Sequence, residues 1–504
     1  MSTFNRIGRE YVAQVAAFVV ALSDRLFIPA VFLRTLGVAS FSAWSVAIAA
    51  GAFVSVLEFG VTRFYTNRLI ALVEQNDHQA AHRMYREALT MIAVLVIFAL
   101  TVIAVGFGYF VRGVGDPVLD RQLPFIAIPI TLAAAVLQLL AVRQALYRAH
   151  RNFAVETWIR LGGEAARIAA VVLGALTGIG LLEIAWVWLG ATIAFVFVPF
   201  SVHTRLLYRG FADRIGLPRG AEFVSMSRLA PGLWLQSMFM TLYATLPVMA
   251  IGALTAAPAL IAQFVLMRTI ANFVRQILQM FANVFGIELA RRHAVGDHAG
   301  FAQVFGETNR FLAVQTAVAT GALFVLGQPL FTVWTGKPEL FDETMLLFAV
   351  LPPVLMPATM LSIEALAYAN RPWPIVRGRV VQLVVSVALF FVLPAQNPAL
   401  RMTEALAIGE IVGLSFPLMI AIGRFNPLIR MRSAAMLLVY SGLAFAVTVA
   451  MVAPVWLCPE LGTLARVALG GAMATVSLVT CHALFGMTAV RRRSIVGMVQ
   501  RALG

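Results

Sequence analysis

The chain has 504 residues, of which 61% are hydrophobic and only 12% charged, with a mean hydropathy of +0.88. That composition lies outside the range of water-soluble globular proteins and leaves a lipid bilayer as the solvent. The formal net charge of +15 would suit nucleic acid if it were clustered. The arginines instead recur in alternate short loops, the positive-inside pattern of a polytopic membrane protein, and no nucleic-acid partner is expected.

Apolar stretches long enough to cross a hydrocarbon core of about 30 Å run over 12–33, 41–60, 88–111, 124–146, 157–178, 181–200, 230–253, 258–286, 311–333, 343–368, 376–394, 403–422, 433–454 and 463–486. They predict an all-α integral membrane protein of about fourteen transmembrane helices with no soluble catalytic domain. The first span holds Asp24 and Arg25 and lacks a small-residue cleavage pattern, so it reads as a retained helix rather than a signal peptide. Arg63, Arg68, Arg83 and Arg86 follow the second span, Arg143, Arg148 and Arg151 the fourth, and Arg205, Arg209, Arg214, Arg219 and Arg228 the sixth. Arg291 and Arg292 follow the eighth, Arg371, Arg377 and Arg379 the tenth, Arg424, Arg430 and Arg432 the twelfth, and Arg491 to Arg493 the last. The loops between carry little positive charge or balance it with acids such as Asp116, Asp120, Glu339 and Glu460. Both termini are therefore expected on the cytoplasmic side.

Cys458 and Cys481 are the two cysteines, too few for a disulfide framework or a metal-ligand spacing. The chain has no Gly-rich phosphate loop, zinc motif or nucleophile elbow. Neither an enzyme nor a cofactor is expected.

An offset of about 220 residues recurs. ALYRAHRNF at 145–153 matches ALAYANRPW at 365–373, pairing Ala145 with Ala365, Leu146 with Leu366, Ala149 with Ala369, Arg151 with Arg371 and Phe153 with Trp373. Asp77-His78 and Asp297-His298 keep the same spacing, as do Ala93-Val94 and Ala313-Val314. A unit of six helices enters and leaves on one side, so two such units are expected to be related by an axis along the membrane normal. The expected domains are a six-helix lobe over 1–220, a second over 221–430, and two further helices with a basic tail over 431–504. Two lobes create a central cleft that opens alternately to either side.

RTLGVASFSAWSVAIAAGAFVSVLEFGVTRFYTN at 34–67, the ALYRAHRNF turn with RLGGEAARIAAVV at 160–172, and GQPLFTVWTGK at 327–337 resemble the polysaccharide flippases of the multidrug/oligosaccharidyl-lipid/polysaccharide exporter superfamily. The resemblance covers nearly the whole chain. It implies transfer of a polyprenyl-diphosphate-linked oligosaccharide, an O-antigen or exopolysaccharide repeat unit, across a bacterial inner membrane. Membrane lipids and a polysaccharide polymerase are the candidate partners. The seventh span, LWLQSMFMTLYATLPVMAIG, lacks the acidic residue that many relatives carry there, which leaves any coupling-ion role at that position without a carrier.

A charge at the centre of a membrane helix costs about 2.5–3.5 kcal/mol on insertion scales, so each one needs a partner or water. On the eighth span Arg268, Asn272, Arg275, Gln279 and Asn283 fall on one helical stripe. Amides alone would read as an interhelical hydrogen-bond seam. Two arginines favour the lining of a cavity, where their planar forks suit a diphosphate.

Arg25 is a further candidate from the first span, with structural pairing of Asp24 or Arg25 as the competing reading. Glu164 and Arg167, three apart, read as a structural pair, and Glu58 as a solvated acid near a helix end. Asp24, Glu364 and Glu410 are the coupling-ion candidates, and removing the arginine pair is expected to harm transport more than neutralising Glu364 and Glu410. Pro352, Pro353 and Pro357 should bend the tenth span beside Glu364. The last two spans are expected on the lipid side, where the resemblance implies a groove for the polyprenyl tail. The competing functions are a multidrug or cation antiporter of the same fold, which would favour an acidic cavity, and a non-transporting subunit of a polysaccharide-assembly complex.

Overall fold

The computed structural model describes residues 3–57, 60–110, 114–150, 152–211, 216, 220–255, 257–355, 358–369, 371–394, 397–429, 431–458 and 460–486. Among these residues there are helices and turns and no strand, and the protein is an all-α membrane protein. In chain order the first half holds α1 (Thr3–Thr35), α2 (Gly37–Gly51), α3 (Phe53–Val56), α4 (Val61–Glu74), α5 (His78–Phe110), α6 (Pro117–Ala149), α7 (Phe153–Leu176), α8 (Leu181–Ala191) and α9 (Val198–Leu207). Then come α10 (Gly220–Thr255), α11 (Pro258–Ala294), α12 (His298–Thr335), α13 (Glu343–Leu355), α14 (Ala358–Tyr368), α15 (Pro372–Val392), α16 (Pro398–Gly409), α17 (Phe416–Phe425), α18 (Met431–Val452) and α19 (Thr463–Cys481).

Every expected span coincides with a helix or a helix pair. Ten are long and apolar enough to cross a membrane among the described residues, and α13 with α14 forms an eleventh, bent by 57°. The helices over the three other spans, α1, α7 and α11, carry the intramembrane charges Asp24 and Arg25, Glu164 and Arg167, and Arg268 and Arg275. The segment after the second span, expected as a basic loop, is the helix α4. The bend after α13 follows Pro352 and Pro353, whose rings remove two helical N–H donors. Pro357 and Glu58 lie outside the described residues.

The chain divides into two compact units, Met1–Ala262 and Gln263–Gly504. The division falls at 262/263 rather than at the expected 220/221 because α10 packs on α2, α3 and α4. Trp234 Nε1 of α10 donates to the Val56 carbonyl at 2.7 Å, and Ser42 Oγ of α2 donates to the Pro258 carbonyl at 2.7 Å.

In the first unit α6 is central, packed on α2, α4, α5 and α8, with Tyr85, Tyr147, Ile92 and Phe200 in the core. Asp116 caps α6 by accepting from the amides of Val118 at 2.9 Å and Leu119 at 3.1 Å, with Pro117 in the first turn. In the second unit α12 is the axis. Asp297 caps it through the Gly300 amide at 2.8 Å, and Gly336, at φ +70°, ends it in the left-handed region.

Each unit interrupts one of its spans with a π-helical turn, Thr192–Phe197 between α8 and α9 and Glu410–Ser415 between α16 and α17. The two turns start 218 positions apart and are followed by Pro199 and Pro417. A π turn widens the helix and leaves carbonyls without regular partners. In both units a glycine lets the turn touch the preceding long helix. A Cβ on Gly163 of α7 would run into the Phe195 carbonyl, and one on Gly413 would run into the Gln382 backbone of α15. The 220-residue spacing read from sequence thus has a counterpart inside each unit.

The last two helices are tied to α12, and most of their residues lie outside the buried interior. α18 and α19 both pack along it, Gly321 of α12 faces the Thr448 Cβ and the Phe445 carbonyl of α18, and Trp456 Nε1 donates to the Val325 carbonyl at 3.1 Å. Thr448 and Ser477 hydroxyls meet at 2.7 Å between α18 and α19.

Candidate functional site

The polar stripe of α11 turns toward two acids of its own unit. Arg275 Nη1 donates to both oxygens of Glu410, at 2.5 and 2.7 Å, and Nη2 donates to the Ala349 carbonyl at 3.3 Å. Gln279, one turn on, donates from Nε2 to Glu364 Oε1 at 2.5 Å. Glu410 is 3% exposed. A carboxylate so buried is tolerated because the guanidinium compensates it.

Local sequence explains why these groups can meet. Pro353 has no N–H to offer the carbonyl four residues earlier, which is that of Ala349, and Arg275 supplies the missing donor. Glu410 opens the π turn, where helical geometry is already broken. Gly286 of α11 lies so close to Glu364 and Tyr368 that a Cβ there would press on the Glu364 side chain and backbone. The prolines, the π turn and the glycine bring α11, α13, α14 and the start of the π turn to one polar cluster.

Arg268 and Asn272 lie on the same helix, N-terminal to that cluster and half-buried. The Arg268 guanidinium sits 5.6 Å from the Phe264 ring centroid, within range of a cation–π contact. The side chain of Asn283 lies outside the described part of its helix. Arg275 and Gln279 were expected as substrate ligands and Glu364 and Glu410 as separate coupling acids. The structure joins them in pairs instead, so neutralising Glu410 also alters Arg275, and the two classes of residue no longer act independently.

In the first unit, α1 packs along α7. Asp24 interacts electrostatically with Arg167, Glu164 and Arg25, and its Oδ1 is buried without a hydrogen-bond partner among the described residues. Glu164 and Arg167 form the expected pair at 3.6 Å, extended by Arg160, which reaches Glu164 at 3.3 Å and Glu156 at 3.5 Å. The Arg167 guanidinium covers the Trp188 ring at 3.9 Å. Arg25 is exposed on the surface of the unit.

Sequence reasoning found the charged residues and missed their partners. Glu410 lies 135 positions from Arg275 and Glu364 lies 85 from Gln279, separations at which helical periodicity says nothing. One signal was present, since a proline four residues after Ala349 marks a carbonyl in need of a donor.

No protein-family description matches the chain, and no curated protein matches it. Solved structures do. The lipid II flippase MurJ in an inward closed conformation superposes with a TM-score of 0.72 at 10% identity, covering 94% of this chain and 98% of that one. The chain has the fold of a lipid flippase and of multidrug transporters. An inward-facing MATE-family multidrug resistance transporter of the MOP superfamily superposes with a TM-score of 0.67 at 14% identity, covering 82% of this chain and 98% of the other. The MATE multidrug transporter DinF-BH in complex with R6G gives 0.57 at 14% identity, with 84% and 96% covered. These structures are transporters rather than enzymes.

Proposed function

We propose that the chain is a flippase that moves a polyprenyl-diphosphate-linked oligosaccharide, an O-antigen or exopolysaccharide repeat unit, across a bacterial inner membrane by alternating access. The observation that carries this reading is the extent of the likeness. The lipid II flippase accounts for 94% of the chain, whereas the two MATE structures are themselves almost fully covered and account for 82% and 84%. The difference is close to the length of the stretch 431–486, which holds α18 and α19.

In this reading Arg268 and Arg275 take the diphosphate, Asn272 and Gln279 add hydrogen bonds, and Arg25 is the substrate-binding candidate of the first unit. Arg275 exchanges the Glu410 carboxylate for a phosphate oxygen, an exchange between two anions of similar geometry. The carboxylate so released takes up a proton or cation, which gives Glu410, and Glu364 through Gln279, a coupling role. Asp24 is the corresponding candidate of the first unit. Both termini are cytoplasmic and a polysaccharide polymerase is a partner. Reporter fusions that place position 215 or 498 outside would refute that topology.

The test is flipping of a lipid-linked oligosaccharide in reconstituted vesicles. Each charge-assisted hydrogen bond is worth about 1.5–3 kcal/mol, so Arg268→Ala with Arg275→Ala should slow transfer about a hundredfold or more. Unimpaired flipping by the double variant would sink the assignment. The cargo's negative charge moves outward with a gain of about 2.3 kcal/mol per charge per 100 mV, so collapsing an inside-negative potential should slow export. Potential-independent export would contradict the charge assigned to the cargo.

A second reading, a multidrug antiporter of the same fold, is favoured by the two carboxylates of the cluster. Efflux of a lipophilic cationic dye that survives Arg268→Ala and fails in Glu364→Gln would select it.

A further inference from the structure

A polar cavity is lined by residues other than those of the Arg275–Glu410 cluster. It is bounded by α12, by α17 with the Leu428–Ile429 turn that follows, and by α18, and encloses about 300 Å³. Asn309 lines it at 0% exposure, and neither its amide nitrogen nor its carbonyl oxygen has a hydrogen-bond partner among the described residues. A buried amide left empty at both ends is costly and points to an occupant.

The neighbours of Asn309 specify that occupant. The Arg310 guanidinium lies 5.2 Å from the Tyr440 ring centroid, and its buried Nε has no hydrogen-bond partner among the described residues. Glu307, one turn earlier on α12, lines the same cavity and accepts a hydrogen bond from Gln303 Nε2 at 3.3 Å. Among the described residues the lining therefore offers a cation in Arg310, an anion in Glu307 and, in Asn309, an amide whose donor and acceptor are both unpartnered. At the mouth, Leu428 and Met436 are about half exposed. Residue 310 directly precedes the apolar stretch 311–333, so the cavity sits at headgroup depth, with the apolar mouth beside the acyl region.

We propose that this cavity binds the headgroup of a zwitterionic aminophospholipid. The phosphate accepts from Arg310 and from Asn309 Nδ2. The primary ammonium donates to Glu307 and to Asn309 Oδ1, and the acyl chains leave past Met436 and Leu428. A quaternary ammonium has no N–H to donate to either oxygen, and a purely anionic headgroup would bring like charge up to Glu307 with no ammonium of its own to offset it. A diphosphate oligosaccharide exceeds 300 Å³ and would press more negative charge against Glu307 than a zwitterionic headgroup does. The site is independent of the cargo assigned above.

The experiment uses the full chain in detergent, supplied with phosphatidylethanolamine, phosphatidylcholine or phosphatidylglycerol. Native mass spectrometry counts retained lipids, and thermal unfolding reports stabilisation. Phosphatidylethanolamine should be retained preferentially. Arg310→Gln should lower its occupancy about tenfold, the loss of one charge-assisted hydrogen bond. Glu307→Gln should erase the preference over phosphatidylglycerol while leaving lipid binding in place. Both changes are at partly exposed positions, so the test stands even if Asn309→Leu does not fold. Equal retention of the three lipids by the unmodified protein, or unchanged selectivity in both variants, would overturn the proposal. Stoichiometric displacement of the phospholipid by lipid-linked oligosaccharide, or by millimolar inorganic phosphate, would also overturn it, by assigning the cavity to another phosphate source.

Discussion

Glu410→Gln is expected to destabilise the protein by about 3–5 kcal/mol, the usual cost of stranding one partner of a buried ion pair. Arg275 then has a neutral amide where it had a carboxylate at 2.5 and 2.7 Å, and the Ala349 carbonyl at 3.3 Å cannot compensate a full charge. Arg275→Met alone should cost a similar amount by leaving Glu410 buried without its guanidinium. The two changes together, as Arg275→Met with Glu410→Leu, should be far less damaging than their sum, because both members of the pair are removed at once and neither is stranded. The measurement is thermal unfolding in detergent followed by the surviving monodisperse fraction. Additive losses would mean that the pair does not form. Flipping should fail in the stable double variant as it does in the single ones, which separates the stability of the pair from its use in transport.

The second large effect concerns two adjacent glycines. Gly163→Ala should destabilise the first unit by about 3 kcal/mol, the upper range for overpacking, because the new methyl meets the carbonyl and backbone of Phe195 and Val196 rather than a movable side chain. Gly162→Ala, one position earlier on the same helix, meets nothing within 4 Å. It should be neutral or stabilising by about 0.5–1 kcal/mol, since alanine loses less backbone entropy in a helix. Gly413→Ala should repeat the damage in the second unit, where the obstacle is the backbone of Val381 and Gln382, and should also disturb the Glu410 carboxylate three residues away. Similar unfolding temperatures for the two α7 variants would rule out the tight contact between α7 and its π turn.

Hydropathy carried the fold because the bilayer imposes one length scale on every helix, and the fourteen apolar stretches each coincide with a helix or helix pair. The bent α13–α14 pair was readable from its prolines for the same local reason. Other features depended on tertiary contacts that no period encodes. The π turns at Thr192 and Glu410 are invisible to hydropathy because one extra residue per turn leaves the apolar content unchanged. Arg275 was recognisable as a costly charge, yet whether it faced a ligand or a carboxylate depended on Glu410, far along the chain. Asn309 attracted no notice in the sequence, since one asparagine ahead of an apolar run reads as a helix end. Its empty hydrogen-bonding groups appear only once α17 and α18 enclose it. The placement of α10 in the first unit likewise came from contacts such as Trp234 with Val56, not from the repeat.

The attachment of α18 and α19 to α12 has a consequence for biogenesis. The chain is made from its N-terminus, and domains generally assemble in that order during synthesis, so α12 enters the membrane about a hundred residues before the helices that cover it. Until then Ala313, Ala317 and Gly321, which the finished fold buries, form a strip of small residues open to lipid or to other helices. Membrane helices associate through such strips, so a chaperone or insertase should shield this strip during synthesis. Ribosomes stalled before α18 should yield chains that a membrane protease removes, even though all twelve spans of the repeat are complete.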